Sequence, residues 1–163
     1  MNPAPSSRSR AVTDVLAVLA RWLLGATFVY FGLHKALHPV EFLKLARQYE
    51  LVQSSLPLNL IAAALPWFEI FCGLLLLAGV AVRGTALMLV LMLVPFTVMV
   101  IRRALVLRAA GHVPFCAVRF DCGCGTGEVF ICRKITENIV FLVLSLWLLI
   151  GAGRKWCAWH TIR

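Results

Sequence analysis

Residues 60–82 read LIAAALPWFEIFCGLLLLAGVAV, twenty-three positions with a single charged side chain, Glu69. The hydrocarbon core of a bilayer is about 30 Å thick, and a helix rising about 1.5 Å per residue crosses it in about 20 residues. The segment therefore reads as a membrane-spanning helix, and similar runs lie on both sides of it. Residues 15–37 form one, ending among His34, Lys35, His38 and Pro39. Residues 85–105 form another, with Pro95 inside and Arg102 and Arg103 near its end, where their stems can snorkel to the interface. Residues 136–151 form a fourth, followed by Arg154, Lys155, Trp156 and Trp159, a basic and aromatic interfacial anchor. Between the first two, residues 40–55 mix Phe42, Leu43 and Leu45 with Glu41, Lys44, Arg47 and Glu50. That stretch is too polar to span and predicts a helix lying along the interface.

Composition agrees with this pattern. The chain is 61% hydrophobic with a mean hydropathy of +0.90, whereas soluble domains are about half apolar. The net charge is +9. Lys and Arg stand mostly at the ends of apolar runs, which indicates contact with anionic head groups; no nucleic-acid motif accompanies them. Residues 1–10 (MNPAPSSRSR) are rich in Pro, Ser and Arg and predict a disordered tail. The apolar run after them is too long for a signal h-region, contains Arg21 and lacks a small-x-small cleavage site, so it reads as an uncleaved first span. The expected fold is all-α, a four-helix transmembrane bundle forming one domain over residues 11–163. Both termini lie on one side, Arg83-Gly84 makes a tight polar turn between the second and third spans, and a cysteine-bearing loop over residues 109–135 joins the third and fourth.

That loop holds four of the six cysteines. Cys122 and Cys124 are one glycine apart, in Phe120-Asp121-Cys122-Gly123-Cys124-Gly125-Thr126-Gly127. A bent glycine allows such a pair to close into a small disulfide ring, and a strained bridge is the more oxidising kind, suited to exchange. Arg119 and Arg133 would favour a thiolate, and Asp121 would oppose it. Two other readings stand beside this one. Cys116, Cys122, Cys124 and Cys132, with His112, could hold zinc, although the spacing C-x5-C-x-C-x7-C lacks C-x2-C knuckles. Alternatively the cysteines are structural, with Cys116 and Cys132 stapling the loop or serving as accessory, resolving thiols. The redox pair is the reading taken, with no resident metal. Cys72, among leucines in mid-span, reads as an inert core thiol; Cys157 has no obvious mate.

Arg21, Lys35 and Glu69 are the intramembrane charges. Leaving one unpaired costs about 2.5–3.5 kcal/mol on the insertion scale. Antiparallel packing of the first two spans predicts that Glu69 pairs with Arg21 or with Lys35. A sharper alternative makes Glu69 a proton carrier beside a quinone head group. His34 and His38, four residues apart, share a helix face; they read as a polar edge, with metal or haem ligation as the alternative. Pro66 and Pro95 predict kinks.

The chain resembles the DoxX-like membrane proteins, and among them the methylamine-utilisation MauE group. The resemblance is carried by Arg21-Trp22-Leu23-Leu24-Gly25, Phe31-Gly32-Leu33-His34-Lys35, Pro39 with Phe42, Leu65-Pro66-Trp67-Phe68-Glu69-Ile70, Gly73-Leu74-Leu75-Leu76, Asp121-Cys122-Gly123-Cys124-Gly125, Arg133 and Glu137-Asn138. It covers residues 21–151, nearly the whole chain. The usual motif of the group looks like Cys-Gly-Cys-Phe-Gly; here Gly125-Thr126-Gly127 follows Cys124, which leaves a more flexible loop. The resemblance implies a four-span protein of the bacterial inner membrane. It also implies a role in maturing a disulfide-rich periplasmic partner, as in methylamine dehydrogenase maturation, or in quinone-coupled thiol chemistry.

The charges and the resemblance disagree on orientation. Arg8, Arg10, Arg83, Arg154, Lys155 and Arg163 fall on the face of the termini. Lys35, Lys44, Arg47, Arg102, Arg103, Arg108, Arg119, Arg133 and Lys134 fall on the loop face, so the positive-inside rule puts the loop in the cytoplasm. The resemblance implies cytoplasmic termini and a periplasmic loop, and that is the expectation adopted. The functional expectation is a membrane protein that assists thiol–disulfide exchange. Its partners would be a periplasmic or membrane redox protein and the lipid bilayer, with quinone as a candidate cofactor. Whether it is itself an oxidoreductase or an accessory subunit is open. The alternative is a non-catalytic scaffold whose zinc-bound or stapled loop docks a partner.

Overall fold

A computed structural model describes residues 7–48, 55–112, 114–123 and 127–150. Five α-helices and a short hairpin follow in the order α1 (Ser7–Leu37), α2 (Pro39–Gln48), α3 (Ser55–Ala78), α4 (Val82–Gly111), a 3-10 turn (Phe115–Ala117), β1 (Arg119–Asp121), β2 (Glu128–Phe130) and α5 (Ile131–Ile150). The protein is mostly helical. Among the described residues, three stretches are long and apolar enough to cross a membrane: Val12–Leu37, Leu56–Ala78 and Val82–Gly111. α5 has 20 residues and carries Arg133, Lys134 and Glu137 in its first two turns.

The polarity of the packing is inverted relative to a soluble protein. Arg21, Lys35, Glu69, Thr85, Thr97, Lys134, Asn138 and Ser145 are buried, while Trp22, Leu33, Trp67, Phe71, Leu91 and Val143 are exposed. In water that arrangement would be costly; against lipid tails it places apolar groups outside and leaves polar ones to bind each other. The centre is filled by Leu24 and Phe28 of α1, Leu76 of α3, Ala86 and Leu89 of α4 and Leu148 of α5.

α1 packs chiefly on α3, and α4 on α5, with lighter contacts closing α3 onto α4 and α1 onto α5. Glycines set the first pair. A Cβ on Gly25 would lie 2.8 Å from the Gly73 carbonyl oxygen, and one on Gly32 would lie 2.6 Å from that of Pro66. The helices touch backbone to backbone at both points, the close approach that small residues permit in membranes. The pairing of 25 with 73 and of 32 with 66 makes α1 and α3 antiparallel.

Several boundaries differ from the sequence reading. Ser7–Arg10, expected in a disordered tail, belong to α1, because adding a turn to an existing helix costs far less than nucleating one; residues 1–6 lie outside the described residues. The interhelix turn is at Gly79–Ala81, and Arg83 and Gly84 are already inside α4. Gly79 has φ 72°, its N–H donates to the Leu76 carbonyl, and the Val80 N–H donates to that of Leu75. That pair of bonds is a Schellman stop. α4 runs six residues past the expected 105, to Gly111, because nothing between Arg102 and Ala110 breaks a helix. At about 1.5 Å per residue α4 is about 45 Å long, so its end stands clear of a 30 Å core. Pro66 and Pro95 sit inside helices that continue through them. α5 begins at Ile131, five residues before the expected 136. The anchor at residues 154–159 and Cys157 lie outside the described residues.

Candidate functional site: a bridged cysteine hairpin and a buried ion pair

The segment between α4 and α5 carries more structure than a loop. Arg119, Phe120 and Asp121 pair antiparallel with Phe130, Val129 and Glu128. The Ile131 N–H donates to the Val118 carbonyl, tying the hairpin to the start of α5. Cys116 and Cys132 form a disulfide with their Cα atoms 5.0 Å apart. The bridge closes the base of the hairpin. It also occupies two of the four thiols that the zinc reading requires, and among the described residues no group of three or more His, Cys, Asp or Glu could hold a metal.

The hairpin's tip bears Cys122. Gly123 follows it at φ 73°, and its N–H donates to Asp121 Oδ1 at 2.8 Å, an Asx turn. Cys124 lies outside the described residues, so the Cys122/Cys124 pair is placed only through its first member. Cys122 is 2% exposed. A Cβ on Gly123 would lie 3.6 Å from Phe42 and 3.7 Å from Leu45, so the tip lies against α2. The arginines expected to favour a thiolate are engaged elsewhere. The Arg119 guanidinium stacks 3.9 Å from the centroid of Phe130, and Arg133 Nε donates to Glu137 Oε1 at 3.0 Å.

Beneath α2 lies the ion pair. Lys35 Nζ is 2.5 Å from Glu69 Oε1, and both side chains are buried. Of the two partners expected for Glu69, Lys35 is the one found, and helix geometry explains why. The antiparallel register puts Glu69 level with residue 29. Lys35 is then about 9 Å away along the axis and Arg21 about 12 Å away on the other side. Side chains lean toward the N-terminus of their own helix. Lys35 and Glu69 therefore lean toward each other, whereas Arg21 leans away. Arg21 Nε donates instead to the Leu76 carbonyl at 3.2 Å, in the last turn of α3.

α5 adds groups that sequence reading missed. Lys134 and Asn138 are buried at 1% exposure each. Lys134 Nζ lies 3.6 Å from Glu137 Oε2 and 5.1 Å from the Phe31 ring centroid. Asn138 Nδ2 donates to Thr97 Oγ1 at 3.1 Å, and that hydroxyl donates to the Leu93 carbonyl at 2.7 Å. The available signal was periodicity: 131, 134, 138, 145 and 148 form one buried stripe, so Lys134 faces into the bundle. Lys35, Glu69, Lys134 and Asn138 line one cavity of about 390 Å³, otherwise walled by apolar side chains of α1, α3, α4 and α5. Cys72 is buried in the core cluster. His34 and His38 stack with ring centroids 4.8 Å apart.

The arrangement offers a cysteine on a bridged hairpin, an amphipathic helix beneath it, and a buried charge cluster beside a cavity. Phe42 of α2 touches both levels, for its ring centroid is 5.4 Å from Lys35 Nζ. No curated protein and no solved structure matches the chain. A family model described as methylamine utilisation protein MauE matches residues 13–151.

Proposed function

The chain belongs to the MauE family, and from that premise we propose that this multi-pass membrane protein assists thiol–disulfide exchange during maturation of a partner protein. The observation that carries the reading is the Cys116–Cys132 disulfide, which closes the base of a hairpin whose tip bears Cys122, the residue that Cys124 follows two positions on in the sequence. The bridge closes the base of the hairpin and leaves Cys122 outside it. α5 acts as the fourth span, short because Arg133, Lys134 and Glu137 occupy its entry.

The exchange balances as follows. One partner thiolate attacks the Cys122–Cys124 disulfide, forming a mixed disulfide and releasing one loop thiol, and the partner's second thiolate then attacks the mixed disulfide and releases the other. The partner gains a disulfide, and the loop becomes a dithiol holding the two electrons and two protons released. The loop disulfide is restored when two electrons and two protons pass to a membrane quinone, which leaves as hydroquinone, or to the disulfide of a partner oxidoreductase. Cys116 and Cys132 remain bonded as the staple. The likeness to DoxX-like proteins supports the quinone branch. The disulfide supports a loop on the periplasmic side of the inner membrane, because such bridges persist in oxidising compartments.

Labelling of intact cells with a membrane-impermeant maleimide tests this reading. Cys122 and Cys124 should label only after mild reduction. Labelling confined to lysed cells would sink it. The second reading, a non-catalytic scaffold whose bridged hairpin docks a partner, draws on the burial of Cys122. It requires that Cys122→Ser and Cys124→Ser leave partner maturation intact, whereas exchange requires that each abolish it.

A further inference from the structure

The cavity has an unsatisfied acceptor at its polar end. Glu69 Oε1 takes the Lys35 ammonium, but Glu69 Oε2 is buried with no hydrogen-bond partner among the described residues. A buried carboxylate oxygen without a donor is unfavourable, and a bound group that supplies one relieves it. In a carboxylate whose Oε1 is ion-paired with the Lys35 ammonium, Oε2 is an acceptor with no proton to donate.

The rest of the cavity restricts what can supply that donor. Its wall includes Phe31, Phe96 and Phe141, which suit a flat ring. Its volume of about 390 Å³ is within the usual range of small-molecule sites, about 300–1,000 Å³. Ile61 of α3 and Leu91 and Pro95 of α4 line it and are also exposed on the lipid-facing surface. Entry is therefore lateral, from the bilayer between α3 and α4, and the ligand is lipid-soluble.

We propose that this cavity binds a membrane-soluble ring compound in its hydroxylated, hydroquinone form, and prefers that form to the dione. The hydroquinone O–H donates to Glu69 Oε2; the dione has no donor to offer and sets its carbonyl against a carboxylate. The ligand's role as electron acceptor rests on the reading above, but the preference rests only on the geometry of Glu69. The site is thus built for the product side of quinone reduction.

Equilibrium binding of menadiol and menadione to the purified full chain in lipid nanodiscs, under anaerobic conditions, tests the proposal. Menadiol should bind about tenfold tighter or more, the effect of one hydrogen bond to a charged group. In Glu69→Gln the amide oxygen can face Lys35 and the amide N–H the cavity, so the preference should reverse. Leu65→Trp, which fills the apolar wall, should abolish binding of both and serves should Glu69→Gln not assemble. Equal binding of the two forms, a preference for menadione, binding of neither, or binding that survives Leu65→Trp overturns the proposal. The same affinities are expected in Cys122→Ser/Cys124→Ser. A failure of the thiol chemistry therefore leaves this result standing, and a failure here leaves the maleimide result standing.

Discussion

Gly79 sits at φ 72° with the Arg21 guanidinium where a Cβ would point, while Gly84, five residues on, is helical with nothing within 4 Å of that position. The same substitution should therefore act with opposite signs. Gly79→Ala meets both a left-handed backbone and the guanidinium, and should lower the thermal midpoint in detergent by an amount corresponding to about 1 kcal/mol or more. Gly84→Ala should raise it, by about 0.5–1 kcal/mol of helix propensity. The turn was misread from sequence for a related reason. Arg83-Gly84 has the polar and flexible character of a turn, and Ala78-Gly79-Val80-Ala81-Val82 has the apolarity of a span. The chain turns where a left-handed glycine can close a Schellman motif, and hydropathy carries no trace of φ. The ion pair was more legible. Glu69 required a cation, and the sequence offered Arg21 and Lys35; the tilt of side chains along each helix, which hydropathy does not record, decides between them.

At the scale of elements, α2 has a polar face of Glu41, Lys44 and Arg47, all exposed, and an opposite face bearing Phe42 and Leu45, which meet the hairpin tip at Gly123. Cys122, the neighbour of Gly123, is buried, and cover by α2 is the expectation that two substitutions test. Phe42→Ala and Leu45→Ala should each speed maleimide labelling of Cys122 after reduction, by an amount measurable as a several-fold rise in rate, while leaving the Cys116–Cys132 bridge intact. An unchanged rate would show that α2 does not cover the thiol. The bridge itself encloses a loop of separation 16, worth about 3 kcal/mol on the chain-entropy model. Helical segments were readable here because apolar runs of the right length announce them. The hairpin was not: each strand has three residues, too short for alternation to register, and its pairing depends on a disulfide that spacing alone left open.

Across the whole molecule, charge placement takes on a different weight once the bundle is assembled. Lys35 and Lys134 are buried in it, so they do not anchor the loop face to head groups. On the expected four-span topology, the loop face without them keeps seven of its nine Lys and Arg residues against six on the other face, and the excess that argued for a cytoplasmic loop almost vanishes. A cysteine placed at Gly84, exposed and with space around it, should label from the side opposite to Cys122 in intact cells; labelling of both from one side would exclude a membrane-crossing α4.

The Cys116–Cys132 bridge also makes the protein a judge of its own insertion. A molecule threaded the wrong way would present these two thiols to a reducing compartment, where the bond does not last. Its hairpin would then lack a closed base, and the tip would lose the frame that sets Gly123 against α2. On the proposed periplasmic placement, only a copy that has delivered this segment to an oxidising compartment would keep the bridge, so topology would become a condition for assembling the part of the chain proposed to meet other thiols.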